Sequence, residues 1–82
     1  MTAETILADV GRIVRDVLDN EDLVVVRSTS AKDVLEWDSL SHVQLVVAVE
    51  RFFKIRFASS EIVSFSNVGE MCDAIEAKLK SI

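Results

Sequence analysis

Asp38, Ser39 and His42 lie within one helical turn of each other and include a nucleophile and a base. Residues three apart on a helix are surface neighbours, so the imidazole of His42 can approach the Ser39 hydroxyl. That is part of what a serine hydrolase needs. Such an enzyme also needs an orienting group for the base, an oxyanion hole and a substrate cleft. Nothing in the sequence points to the last two, and His42 falls toward the core side of its helix, packed at the edge. Catalysis by this pair is therefore the lesser reading. Ser39 has another use. Asp38 is a good N-cap, because its carboxylate can accept from the free N–H groups of a first helical turn. Ser39 then takes the first helical position, where unpaired N–H groups and the positive end of the dipole favour an anion. A phosphodiester on this hydroxyl would be exposed and well placed electrostatically. By itself, a serine at a helix start is usually only a capping residue.

The other reactive side chains read as structural. Cys72 is the sole cysteine, so no internal disulfide can form. It lies beside an apolar stripe, where a buried thiol is expected. Asp16, Asp19, Glu21 and Asp22 lack the glycine and terminal glutamate of a calcium loop and read as a solvated acidic loop. Trp37, just before the Asp38 cap, is expected to pack the preceding loop onto the fold.

Three long helices and one short one must position these groups. The first is predicted over about Ala3–Leu18, capped by Thr2, with Ile6, Val10, Ile13, Val14 and Val17 as its apolar stripe. Gly11 inside it costs about 1 kcal/mol relative to Ala and could mark a close approach by another element. Residues 19–37 form a long connection. Leu23, Val24, Val25 and Val26 favour a strand by propensity, but nothing else offers a pairing partner. They are read as an ordered loop whose valines pack onto the helices, with Ser30 capping a turn through Val34 and Leu35. The second helix is predicted from Asp38 to about Phe53. Ser59 or Ser60 opens a short helix through Ile62 and Val63. Asn67 and Glu70 resemble a capping box, followed by Val68, Met71, Cys72, Ile75 and Leu79 as the stripe of a last helix. Lys78 and Lys80 suit its C-terminal dipole.

The second helix has two distinct faces. At 100° per residue, Leu45, Val46, Val49, Phe52 and Phe53 share the core side. The opposite side carries Leu40, Val43, Gln44, Val47, Glu50, Arg51 and Lys54. A solvent face is normally mostly polar. Three aliphatic residues among charged ones fit a docking surface, unless the long loop covers Leu40, Val43 and Val47.

The bulk numbers narrow the function classes. With 82 residues the chain is read as one domain (1–82) with a single core and no room for a deep catalytic pocket. It has 14 acids and 9 bases, with no clustered Lys/Arg to displace counterions from nucleic acid. The acids Glu4 and Asp9 near the start argue against a signal peptide, and no segment is long enough to span a bilayer. A cytoplasmic monomer is expected, without nucleic-acid or membrane partners.

The tripeptide Asp38-Ser39-Leu40 resembles the attachment motif of the acyl carrier protein family. The stretch from Trp37 through Glu50 is similar to the family's second helix almost throughout. Phe53, Ile55 and Phe57 match its next segment, and Glu61-Ile62, Phe65 and Asn67-Val68-Gly69 match its third helix and the start of its last. The resemblance covers nearly the whole chain. It implies an all-α fold, a four-helix bundle with three main helices and one short one. It also implies 4′-phosphopantetheine, transferred from coenzyme A to Ser39 by a phosphopantetheinyl transferase, with Asp38 and Leu40 flanking the site. The arm's thiol would carry an acyl group as a thioester between an acyl-loading enzyme (a ligase or acyltransferase) and acyl-consuming enzymes. The carrier itself would not be an enzyme. The family's second helix is typically rich in acids, whereas here Glu50 is the only acid on the outer face and Ser41 is uncharged. Docking through Leu40, Val43 and Val47, with little salt dependence, is the resulting expectation. It favours a carrier dedicated to a specialised acyl or polyketide-like pathway over a general fatty-acid carrier. A stand-alone peptidyl or aminoacyl carrier, or a helical adaptor that carries nothing, are the alternatives.

Overall fold

In the computed structural model, which describes residues 2–80, the chain forms four helices: α1 (Ala3–Val17), α2 (Ser39–Phe53), α3 (Ser59–Ser64) and α4 (Val68–Lys80). No strand occurs among the described residues, as the all-α reading expects. Thr2 caps α1 by accepting from the Thr5 N–H at 3.2 Å, which supplies one of the partners that a first turn lacks. The predicted stripe of α1 is buried at Ile6, Val10, Ile13 and Val14, and the helix packs against both α2 and α4. Leu45, Val46, Val49 and Phe53 meet it from α2, and Val68, Met71, Cys72 and Ile75 from α4. Leu18, Val34, Trp37, Ile55 and Phe57 close this core from the connections.

The predicted core side of α2 needs one correction. Phe52 is 45% exposed. Its ring lies at the rim, where α1 presents the Arg12 guanidinium 5.0 Å from the ring centroid, and the edge of Phe53 supports it. A cation over a ring face is attractive, so the site suits a half-exposed aromatic. The helix then stops at Lys54, which adopts a left-handed conformation at φ 58° and donates its N–H to the Glu50 carbonyl.

The long connection keeps to no single element, and only half of its aliphatic run packs inward. Leu23 and Val25 rest on the core, while Val24 and Val26 face solvent. This is the alternation of an extended segment that lacks a ladder. The segment is tied down instead through α4, whose first-turn Val68 and Gly69 N–H groups donate to the carbonyls of Thr29 and Arg27 at 2.8 and 2.7 Å. The Ser30 turn also differs from expectation. Ser30 does not cap it; the Asp33 carboxylate accepts from both the N–H and the hydroxyl of Ser30. Val34 is buried and Leu35 is fully exposed.

At the start of α4, Asn67 accepts from the Glu70 N–H at 2.9 Å. The reciprocal half of the expected capping box is displaced by one residue, since Glu70 reaches the Ser66 N–H rather than that of Asn67. The short helix α3 buries no residue fully. It is anchored by polar contacts, among them Lys78 Nζ of α4 to Glu61 Oε1 at 2.9 Å.

The two glycines respond differently to an added methyl group. A Cβ on Gly69 would lie 3.0 Å from the Arg27 carbonyl oxygen, whereas one on Gly11 would meet Val25 Cβ at an ordinary 3.4 Å. Gly69→Ala is therefore expected to destabilise by about 1–3 kcal/mol, the usual cost of overpacking. Gly11→Ala is expected to be neutral or to gain up to about 1 kcal/mol of helix propensity. Urea unfolding of both variants beside wild type checks the contrast.

Candidate functional site

The start of α2 is built as its sequence implies. Asp38 Oδ1 accepts from the Ser41 N–H at 2.9 Å, and the Asp38 carbonyl accepts the first helical bond from the His42 N–H. The Ser41 hydroxyl donates to the Glu36 carbonyl at 2.9 Å, which ties the first turn back onto the connection. The carboxyl of Asp38 is held below its ordinary value of 3.8, chiefly by the Ser41 N–H, so it stays charged at the helix N-terminus. Between these ties Ser39 is exposed. Its hydroxyl makes no hydrogen bond to another described residue. It is presented outward with free space for a substituent.

The same geometry removes the hydrolase reading. Trp37 Nε1–H donates to His42 Nδ1 at 3.2 Å, so that nitrogen carries the lone pair. His42 Nε2 then carries the proton and donates to the Ile62 carbonyl at 3.0 Å. Both ring nitrogens are committed, and neither can take a proton from Ser39. Trp37 is buried and stacks on the imidazole, as its place before the helix predicted.

Of the outer face of α2, Leu40 is 68% exposed, Val43 56% and Val47 39%. The connection does not cover them. Gln44, Arg51 and Lys54 are exposed beside them. Glu50 differs from expectation in its engagement, because its Oε2 accepts from the Phe57 N–H at 2.8 Å and braces the turn after α2. The sequence reading missed Arg56, which lines a shallow groove with Val47, Glu50, Arg51, Lys54 and Ile55. Leu35 and Val63, expected in a turn and in the short helix, are both strongly exposed. Arg56 lies just past the helix, where periodicity has no purchase. Cys72 is buried, and burial pushes its thiol up to about 11, so it is a poor nucleophile. No group of three or more His, Cys, Asp or Glu among the described residues could hold a metal ion.

Residues 8–75 match the family model described as a phosphopantetheine attachment site. The chain belongs to the acyl carrier protein family. An acyl carrier protein of Exiguobacterium sibiricum is 32% identical over 79 residues, which span 96% of this chain and all of that relative. One from Acidothermus cellulolyticus is 33% identical over 92% of this chain and 89% of its own length. The solution structure of holo acyl carrier protein from Geobacter metallireducens superposes with a TM-score of 0.87 at 41% identity. It covers 93% of this chain and 87% of its own. The cofactor of the family is a covalently attached 4′-phosphopantetheine. The start of α2 fits such a group, with an unpartnered exposed hydroxyl on the first turn and no bulky side chain over it.

Because the Asp38 carboxyl is depressed when folded, it contributes stability above its ordinary value, and that contribution is lost as pH falls through the folded value. Asparagine caps about as well but carries no charge for the dipole. Asp38→Asn is expected to melt slightly below wild type at neutral pH and to converge on it below pH 3.8, as thermal melts over a pH series would show.

Proposed function

We propose that this chain carries acyl intermediates as thioesters on a 4′-phosphopantetheine arm attached to Ser39, and that it passes them between partner enzymes. One observation supports this most strongly. The Ser39 hydroxyl stands free on a braced helical turn, with the exposed aliphatic side chains of Leu40, Val43 and Val47 running away from it along α2. When bound, the arm supplies a thiol for thioester formation. The chain's own residues present and orient. Asp38 fixes the first turn, and Ser39 offers its oxygen to a phosphopantetheinyl transferase. The new O–P bond forms there as the pyrophosphate link of coenzyme A breaks, adenosine 3′,5′-bisphosphate leaves, and the hydroxyl proton passes to the transferase. The carrier needs no base of its own, which agrees with the occupied ring of His42.

The docking face is Leu40, Val43 and Val47, bordered by Gln44, Glu50, Arg51 and Lys54. Its charge is nearly balanced. Glu36 and Asp38 lie at the Ser39 end, Arg51, Lys54 and Arg56 at the other, and Glu50 is already hydrogen-bonded. Partner binding should therefore be driven by apolar contact and respond weakly to salt. That balance supports a dedicated carrier of a specialised acyl or polyketide-like pathway ahead of a general fatty-acid carrier. The partners of such a carrier are the transferase, an acyl-loading ligase or acyltransferase, and acyl-consuming enzymes.

Intact mass after incubation with coenzyme A and a broad-specificity phosphopantetheinyl transferase tests the reading. Wild type should gain one phosphopantetheinyl group, and Ser39→Ala none while keeping its fold. A folded wild type that gains nothing, beside a control carrier that is modified, would overturn it in favour of a non-carrying adaptor. Val43→Asp places an uncompensated charge in the apolar strip. It should slow modification about tenfold or more, a loss typical of an interface centre, with an unchanged melting temperature.

A further inference from the structure

The chain has one tryptophan and one histidine, and the fold hydrogen-bonds them to each other across the attachment turn. Trp37 lies two residues before Ser39 and His42 three residues after it. The bond from Trp37 Nε1–H to His42 Nδ1, 3.2 Å, therefore closes a ring around Asp38, Ser39, Leu40 and Ser41. The other imidazole nitrogen extends the link to the Ile62 carbonyl. It thereby hooks α3 to α2, although α3 buries no residue fully. One imidazole thus fixes the chain on both sides of the serine and the short helix beside it.

We infer that His42 is a positioning residue for the modification of Ser39, acting in its neutral Nε2–H form. The inference rests on Ser39 as the attachment site. Phosphopantetheinyl transfer needs the hydroxyl held in a fixed direction against a separate enzyme, and misplacement of a reacting atom is costly in rate. Ser39 has no contact of its own to hold it, so its direction is set by the ties around it. The two outer ties are Ser41 to Glu36 and Trp37 to His42.

The arrangement depends on protonation. An imidazolium has a donor at both nitrogens, so a protonated His42 would turn an N–H toward the indole N–H and lose the Trp37 bond. The small cavity beside the two rings, about 40 Å³, is lined by Ala31, Phe65, Ser66, Asn67 and Met71 as well as the rings themselves. It contains no second titratable side chain. Four of the carboxylates carried by the surrounding elements are Glu36 and Asp38 before α2, Glu61 on α3 and Glu70 on α4. Each already accepts a hydrogen bond from another residue: Asn20, Ser41, Ala58 and Ser66, respectively. Glu50 of α2 accepts from the Phe57 N–H, and Asp73 and Glu76 of α4 pair with Arg27 and Lys80.

Two substitutions separate the two bonds. Asparagine places its carbonyl oxygen where Nδ1 lies and can still accept from Trp37. Glutamine places its amide near Nε2 and can still reach Ile62. His42→Phe keeps an aromatic ring and loses both. The rate of phosphopantetheine transfer from coenzyme A, measured with a broad-specificity transferase well below each variant's melting temperature, should fall about tenfold for Phe and Gln and stay within about twofold for Asn. A merely structural histidine would lower the melting temperature in all three variants without this ordering of rates. Folded Gln and Phe variants modified at the wild-type rate would overturn the inference. If wild type itself is never modified at Ser39, the carrier reading fails instead.

Discussion

Two backbone hydrogen bonds at the start of α4 decide where the rest of the molecule goes. The N–H groups of Val68 and Gly69 have no partner within their own helix, and the connection between α1 and α2 supplies them with the carbonyls of Thr29 and Arg27. The approach is close enough that a Cβ at position 69 would lie 3.0 Å from the Arg27 carbonyl oxygen and push it back. Once that contact is made, the chain leaving α1 must cross the head of α4 before it can begin α2. Thr29 is buried there, and its hydroxyl accepts from the Val26 N–H. The crossing point is thus satisfied on both its polar sides. From there the chain has room for two turns, ending in Trp37 and Asp38. Where Ser39 emerges is therefore fixed by α4, a helix distant from it in sequence.

Much of this was legible in the sequence, and the parts that were not share a physical reason. The stripe of α1, the Thr2 and Asp38 caps, the Asn67 contact and the burial of Trp37 and Cys72 all follow from local periodicity or local side-chain-to-backbone bonding. Those signals act within one or two turns. Phe52 failed because 100° arithmetic gives a direction but not what waits there: α1 offers Arg12, not an aliphatic neighbour, at that height. Glu50 was placed on the docking face by the same arithmetic, while its carboxylate is taken by Phe57 in the following turn. The path of the connection was legible least of all. Val24 and Val26 have the same propensity as Val25, but only Val25 turns inward, on the side of Gly11.

The family resemblance pointed to Ser39 as the proposed attachment site, and the structure removed the competing chemistry. A Ser and a His one turn apart are open to a catalytic reading in any linear argument. What closes it is the pair of bonds at His42, an indole donor on one nitrogen and a backbone acceptor on the other. Neither partner is close to His42 in a sense that helical periodicity captures, since Trp37 precedes the helix and Ile62 lies on another one.

A carrier also faces a constraint that an enzyme does not. If the exposed face of α2 is its docking surface, as proposed, that face must stay exposed until a partner covers it, so Leu40 and Val43 contribute less to the stability of the free protein by burial than core residues do. Leu35, Leu40, Val43 and Val63 are all mostly in water. The core must then be assembled from the remaining faces of a short chain, and here α1 serves α2 and α4 together. α3 is left with half-buried Ile62 and polar ties to α2 and α4. Elements with few buried apolar contacts and polar attachments open most readily. The element beside Ser39 is thus the weakest-held part of the bundle, while the turn that bears Ser39 is among its most heavily braced. Both suit the proposed role, in which Ser39 is presented rigidly and the arm's cargo is given up to successive enzymes.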